Sequence, residues 1–181
     1  MPLLKEGVHI PFVWNSSGYE EIETLEEFRQ FCDCALFDLR YSNDATAIAA
    51  SAAPGYVKAA RSAVVWAYGQ SRQNSKVLPP LIVRILVLPG HADEAIENLA
   101  WLATELSSDI PVSIMSQFTP AYKALETPPF NRKVTEEEYD SVVEAAADFG
   151  FENGWIQGFE AADPQLALLG ENMPIGHGCV S

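Results

Sequence analysis

Eight consecutive residues, Leu81 to Leu88 (LIVRILVL), are aliphatic apart from one arginine, and Pro89-Gly90 closes the run. A short run rich in aliphatic and β-branched side chains and ended by turn residues predicts a strand. An apolar residue at nearly every position is what a strand needs when both faces of its sheet are covered. Sheets of that kind are parallel, and parallel neighbours need a crossover between them, usually a helix.

The rest of the chain supplies that alternation. His9 to Trp14 (HIPFVW) predicts a first strand, and Asn15-Ser-Ser-Gly18 a loop after it. Thr24-Leu-Glu-Glu27 has the spacing of a capping box. Leu25, Phe28 and Phe31 give the following helix its apolar face. Cys34 to Leu39 predicts a second strand, Asn43 to Ala53 and Gly55 to Tyr68 predict helices, and Ser71 to Pro80 a polar loop. Ala92 to Leu106 predicts an amphipathic helix with Ala92, Ala95, Ile96, Leu99, Ala103 and Leu106 on one face. Pro111 to Met115 predicts another strand, and Phe118 to Lys133 a proline-containing loop. A second capping box, Thr135-Glu-Glu-Glu138, opens a helix that turns Tyr139, Val142, Val143 and Ala146 inward and ends near Gly150. Gly154 to Phe159 predicts a short last strand.

Strand, helix, strand, helix in succession predicts an α/β fold with mostly parallel strands and right-handed crossovers. With about four β/α units in 181 residues, the expectation is a partial (β/α) barrel, because a complete one takes about 250 residues. We expect residues 1–160 to form that domain and residues 161–181 an irregular tail.

Charge narrows the partners. Lys plus Arg number 11 and Asp plus Glu 25, a net charge of −14. So acidic a surface repels nucleic acid phosphates and anionic membranes. No apolar run reaches the ~18 residues of a membrane helix, and the start has no signal-peptide pattern. Three cysteines, Cys32, Cys34 and Cys179, are too few and too odd for a disulfide framework. A cytoplasmic location is expected. Cys32-Asp-Cys34 supplies two thiols where a metal site needs four ligands, so no metal site is assigned and buried free thiols are expected.

Ligands of parallel α/β sheets bind beyond the carboxyl ends of the strands. By that rule Asn15, Ser16 and Ser17, then Asp38 and Arg40, then His91, then Gln117 gather at one end. Arg84 is the sharpest signal, because an unpaired guanidinium inside a strand costs several kcal/mol. It is either an ion-pair partner, for instance of Asp38, or an anion-binding group aimed at a carboxylate or phosphate. Asp38 and Arg40, two apart, share one strand face and offer an acceptor beside a donor.

Five segments read together carry a family resemblance: Pro11-Phe-Val-Trp-Asn-Ser-Ser-Gly-Tyr-Glu20, Phe37-Asp-Leu-Arg-Tyr41, Val83-Arg-Ile-Leu-Val-Leu-Pro-Gly90, Met115-Ser-Gln-Phe-Thr-Pro120 and Phe130-Asn-Arg-Lys-Val-Thr-Glu-Glu-Glu-Tyr139. Their order and spacing, from about Pro11 to Gly158, resemble radical S-adenosylmethionine (SAM) proteins of the pyruvate formate-lyase activating enzyme-like group. The resemblance implies a partial (β/α) barrel, SAM, and a [4Fe–4S] cluster held by a CxxxCxxC loop. It also implies cleavage of SAM to a 5′-deoxyadenosyl radical that takes hydrogen from a glycyl-radical-type partner protein. The Asn15–Gly18 turn, with Asn15 and Ser17, resembles the segment that approaches SAM. Asp38-Leu-Arg40 resembles the family's Asp-Leu-Lys type motif near the ribose and carboxylate, and Arg84 the arginine of its Arg-x-x-x-x-Pro-Gly strand.

The chain also departs from that pattern. CxxxCxxC is absent, and Ile85 stands where a histidine is expected after the arginine. The family's barrel would begin here near its third strand. The expectation is therefore a carboxy-terminal fragment, inactive alone without cluster ligands, with the missing amino-terminal half as a partner. The alternative is a non-catalytic binding module that holds a nucleotide-like ligand or a partner protein at the strand ends. A hydrolase or lyase using Asp38 with Gln117 lacks a nucleophile or metal set.

Overall fold

A computed structural model describes residues 11–71, 81–159 and 173–174. In chain order it contains β1 (Val13–Ser16), α1 (Ile22–Phe28), a 3-10 turn (Arg29–Phe31), β2 (Cys34–Asp38), α2 (Asp44–Ser51), α3 (Tyr56–Ser71) and β3 (Leu81–Leu86). There follow α4 (Ala92–Glu105), β4 (Val112–Met115), a 3-10 turn (Tyr122–Glu126), α5 (Glu136–Asp148), β5 (Gly154–Ile156) and β6 (Met173–Pro174). The expected loop after Ser71, the expected start of the first strand at His9, Cys179 and most of the 161–181 tail lie outside the described residues.

The sheet order is β1-β2-β3-β4-β5-β6. The first five strands are all parallel, and β6 runs antiparallel to β5. The α/β expectation is thus met, with five parallel strands in sequence. Each crossover steps in the same direction, so right-handed connections put the helices on one face. Accordingly α3 packs on β2 and β3, α4 on β3, and α5 against α4.

Among the described residues that cover is one-sided, which corrects the reading of β3 as a strand buried on both faces. Leu81, Val83 and Ile85 are fully buried, while Ile82, Arg84 and Leu86 are only partly so. Hydrophobicity alone could not distinguish them, because a partly exposed sheet face can carry aliphatics as well as a buried one does. The helix-covered face is built on Phe37, Val83, Ile85, Val112 and Ile114, all at zero exposure.

The start of the chain differs from expectation in two further ways. Among the described residues the first strand is Val13–Ser16 and runs two residues past the expected end at Trp14, because pairing with β2 continues from Val13 opposite Cys34 to Ser16 opposite Phe37. Asn15 and Ser16 are therefore strand residues, not loop residues. The Thr24 capping box does not form, since α1 already starts at Ile22 and the backbone N–H groups of Thr24 and Leu25 donate to the Glu21 carbonyl. Of its apolar face only Leu25 is buried; Phe28 and Phe31 are about half exposed, and Phe28 sits edge-on to Trp14. On α4 the buried line is Glu94, Ala95, Asn98, Leu99 and Leu102, a face that includes two polar residues the apolar pattern passed over.

The Thr135 box is present: Glu138 N–H donates to Thr135 Oγ1 at 3.2 Å, and Thr135 N–H donates to Glu138 Oε2 at 2.8 Å. Gly150, at φ +80°, ends the helix, and its N–H donates to the Ala147 carbonyl. Glu138 also accepts from both Arg132 Nη atoms and from Gly90 N–H, tying α5 to the turn after β3. Arg132, first, and then the Thr135 and Gly90 N–H groups hold its carboxyl at about 2. A depressed carboxylate stabilises above its unfolded value, near 4.3, and that contribution is lost as pH falls through about 2. Glu138→Gln is therefore expected to cost about 1 kcal/mol at pH 7, discounted for solvent screening, or roughly 2–4 °C in Tm. The gap from wild type should narrow below about pH 4; a constant gap down to pH 2.5 would locate the effect elsewhere.

Candidate functional site

The polar groups meet on the face of the sheet that carries no helix among the described residues. In a parallel ladder, residues paired in register project to the same side. Asp38 pairs with Arg84, Arg84 with Ser113, and Ser113 with Trp155. Asp38, Arg84, Ser113 and Trp155 thus form a row across four strands. Asn15 pairs with Leu36, two residues before Asp38, and lies one step below that row.

Asp38 is the centre of the constellation, at 3% exposure. Its Oδ1 accepts from Arg84 Nε at 2.6 Å, and its Oδ2 accepts from Arg40 Nε at 2.9 Å and Nη2 at 2.7 Å. Arg84 Nη2 reaches on to Asn15 Oδ1 at 2.6 Å. Arg84 is therefore an ion-pair partner of Asp38, one of the two roles open to a guanidinium inside a strand. One carboxylate with two guanidiniums leaves the cluster at +1 on a chain of −14. That local excess suits an anionic group arriving at the strand ends. Both Asp38 oxygens are already occupied by charge-assisted bonds.

Of the residues singled out by sequence, Asn15, Asp38, Arg40 and Arg84 come together. Ser17 does not join through its side chain; its carbonyl accepts from Tyr56 Oη at 2.8 Å. Gln117 is exposed, and His91 belongs to a separate polar knot. His91 Nδ1 lies 3.1 Å from Glu94 Oε1, and its ring stacks on Phe130. Buried Glu94 also accepts from Thr46 Oγ1 and from the Ser42 and Asn43 N–H groups. That knot fastens the β2–α2 loop to α4. Sequence reasoning missed Glu94, because an acid in a first helical turn is ordinarily exposed. It also missed Ser113, Trp155 and Tyr56, whose roles depend on register and on long-range contacts.

The two described cysteines behave as thiols. Burial, and then Cys32 nearby, push the Cys34 thiol up to about 11, and desolvation raises Cys32 as well. Protonated thiols are poor metal ligands. Among the described residues no group of three His, Cys, Asp or Glu could hold a metal ion. Among the described residues, too, no helix is long and apolar enough to cross a membrane.

Fold and site together define an α/β chain with a charged constellation at the ends of parallel strands. Among curated proteins it is similar to an uncharacterized protein of Methanocaldococcus jannaschii, 27% identical over 146 residues. That match covers 80% of this chain and 40% of the archaeal protein, so the chain spans about two-fifths of its relative's length. No family model matches the chain, and no solved structure does.

Proposed function

We propose that this chain is the carboxy-terminal part of a radical SAM protein similar to pyruvate formate-lyase activating enzymes, and that its strand-end constellation holds SAM. The observation carrying this reading is the row of Asp38, Arg84, Ser113 and Trp155 on the face of the sequentially wound parallel sheet that carries no helix among the described residues. Strands in sequential order with helices on one side are the arrangement of a (β/α) barrel, here a partial one. Asn15 below the row and Arg40 at the rim complete the proposed contacts; Ser17 contributes its backbone.

The residues fit SAM better than they fit a cluster. Arg84 and Arg40 supply more positive charge than Asp38 cancels, as a methionyl carboxylate requires. Trp155, 37% exposed, offers a ring face at the far end of the row, where a base could stack. A [4Fe–4S] cluster does not fit the described residues, and the sequence holds no CxxxCxxC. No chemical step is therefore derived through it. In this reading the cluster ligands come from a separate amino-terminal segment, and a glycyl-radical-type protein is the substrate partner. The roles left to this chain are to bind and orient SAM. A second reading takes the same face as a binding module for a nucleotide-like ligand: both Asp38 oxygens are already bonded, so the constellation offers binding groups.

Thermal denaturation with and without SAM tests the site. At a hundredfold excess over Kd, binding stabilises by about 2.7 kcal/mol, or roughly 5–10 °C for a chain of this size. Adenosine, lacking the carboxylate, is expected to give less than half that rise. No rise with SAM at any soluble concentration would sink the SAM reading. A rise with adenosine equal to that with SAM would move the conclusion to the binding-module reading.

A further inference from the structure

We propose that Tyr56 is a positioning residue whose hydroxyl joins three backbone segments of the strand-end site and so fixes where Asp38 and Arg40 face the ligand. The inference rests on the ligand reading above. Tyr56 opens α3 and is 2% exposed. Its hydroxyl lies 2.8 Å from the Ser17 carbonyl and 3.1 Å from the Asp38 carbonyl. It accepts from the Arg40 N–H at 3.1 Å. A phenolic hydroxyl has one proton to donate and lone pairs to accept. Here that proton is shared between the two carbonyls, and the lone pairs hold the amide.

All three partners are backbone groups of the segments proposed to meet the ligand. Arg40 lies past the end of β2, so this bond stands in for the ladder that has stopped. The junction is tight on its other side as well. Gly18 has φ +77°, and a Cβ there would sit 2.9 Å from the Asp38 carbonyl oxygen and 3.2 Å from Ala60 Cβ. The Tyr56 ring is itself held between Tyr19, at 5.9 Å, and Tyr41, edge-on at 5.1 Å. Burial pushes its hydroxyl well above the usual tyrosine range, so the junction stays neutral at any ordinary pH. A tyrosine present for packing alone needs its ring and one acceptor; this one bridges the β1–α1 turn, the end of β2 and the start of α3.

Tyr56→Phe keeps the ring and removes only the junction. The expected result is a folded protein whose SAM Kd rises about tenfold or more, as small displacements of positioned groups do. The Arg40 amide should at the same time exchange with solvent faster than in wild type. Val142→Ala, a buried α5 change away from the site, is the control for stability, and should lower Tm without moving Kd. If Tyr56→Phe leaves both Kd and Arg40 exchange unchanged, the proposal is overturned. If wild type itself fails to bind SAM, the ligand reading falls, and Tyr56 is judged on Arg40 exchange alone. Should the variant not fold, wild-type exchange decides: an Arg40 amide exchanging like an open loop overturns the proposal, and a protected one supports it.

Discussion

A Gly154→Ala protein is expected to lose more than about 4 kcal/mol of stability, in the extreme tail for single substitutions. Gly154 has φ +131°, a region L side chains rarely adopt, and a Cβ there would lie 1.9 Å from the Val112 carbonyl oxygen and 2.7 Å from its nitrogen. The obstacle is backbone, so no rotamer change relieves it. Moving β5 away would break its pairing with β4 and the Val112 N–H bond to the Asn153 carbonyl. It would also separate the Ile114 and Gln157 carbonyls, both held by the Tyr139 hydroxyl. Domains are stable by only about 5–15 kcal/mol, so the variant should melt roughly 8–20 °C lower or fail to accumulate as folded protein. Gly55 is the internal comparison: it too has positive φ, but nothing lies within 4 Å of its would-be Cβ, so Gly55→Ala should cost about 1 kcal/mol. Equal melting temperatures for the two variants would mean that β5 does not pack where it is described.

The contrast between these glycines shows what kind of information the sequence carried. Elements set by local chemistry were legible: the aliphatic Leu81 run, the α4 and α5 periodicities, and Thr135 with Glu138 three residues on. Each depends on residues within one or two turns of one another. The Thr24 box has the same local signature and fails, because the helix starts earlier and the capping position passes to Glu21. The end of the first strand was misplaced for a related reason. Apolar character marks where a strand is tolerated, and pairing with β2 decides where it ends. Arg84 stood out because a charge inside an aliphatic strand is costly unless it is paired, and Asp38 and Arg40 because they lie at a strand's carboxyl end, where ligands of parallel sheets bind. Tyr56, Glu94 and Trp155 did not stand out, because buried tyrosines, first-turn acids and edge tryptophans are ordinary in sequence. Only the partners they meet 16 to 52 residues away along the chain make them specific.

Arg84→Met is the substitution that bears most directly on function, and two quantities should move together. Asp38 is almost fully buried and takes one of its ion pairs from Arg84. Removing one partner of a buried pair costs about 3–5 kcal/mol, because the remaining charge is left undersatisfied. Arg40 still covers Oδ2, and Arg84 is itself partly accessible, so the lower figure applies, roughly 6–12 °C in Tm. Asn15 Oδ1 loses its donor as well. Arg40→Met is the contrasting variant. Its side chain is 39% exposed, so the expected loss is about 1 kcal/mol, while the local charge falls by the same unit. If the constellation binds the methionyl carboxylate of SAM, both variants should abolish the thermal shift with SAM, although only Arg84→Met greatly weakens the fold. Arg84→Lys should restore much of the stability and little of the binding, since an ammonium is a point charge and cannot hold Asp38 and Asn15 as a planar fork does. Loss of stability without loss of binding in Arg84→Met would make Arg84 a strut of the sheet, and the ligand contacts would then have to lie with Arg40 and the rim.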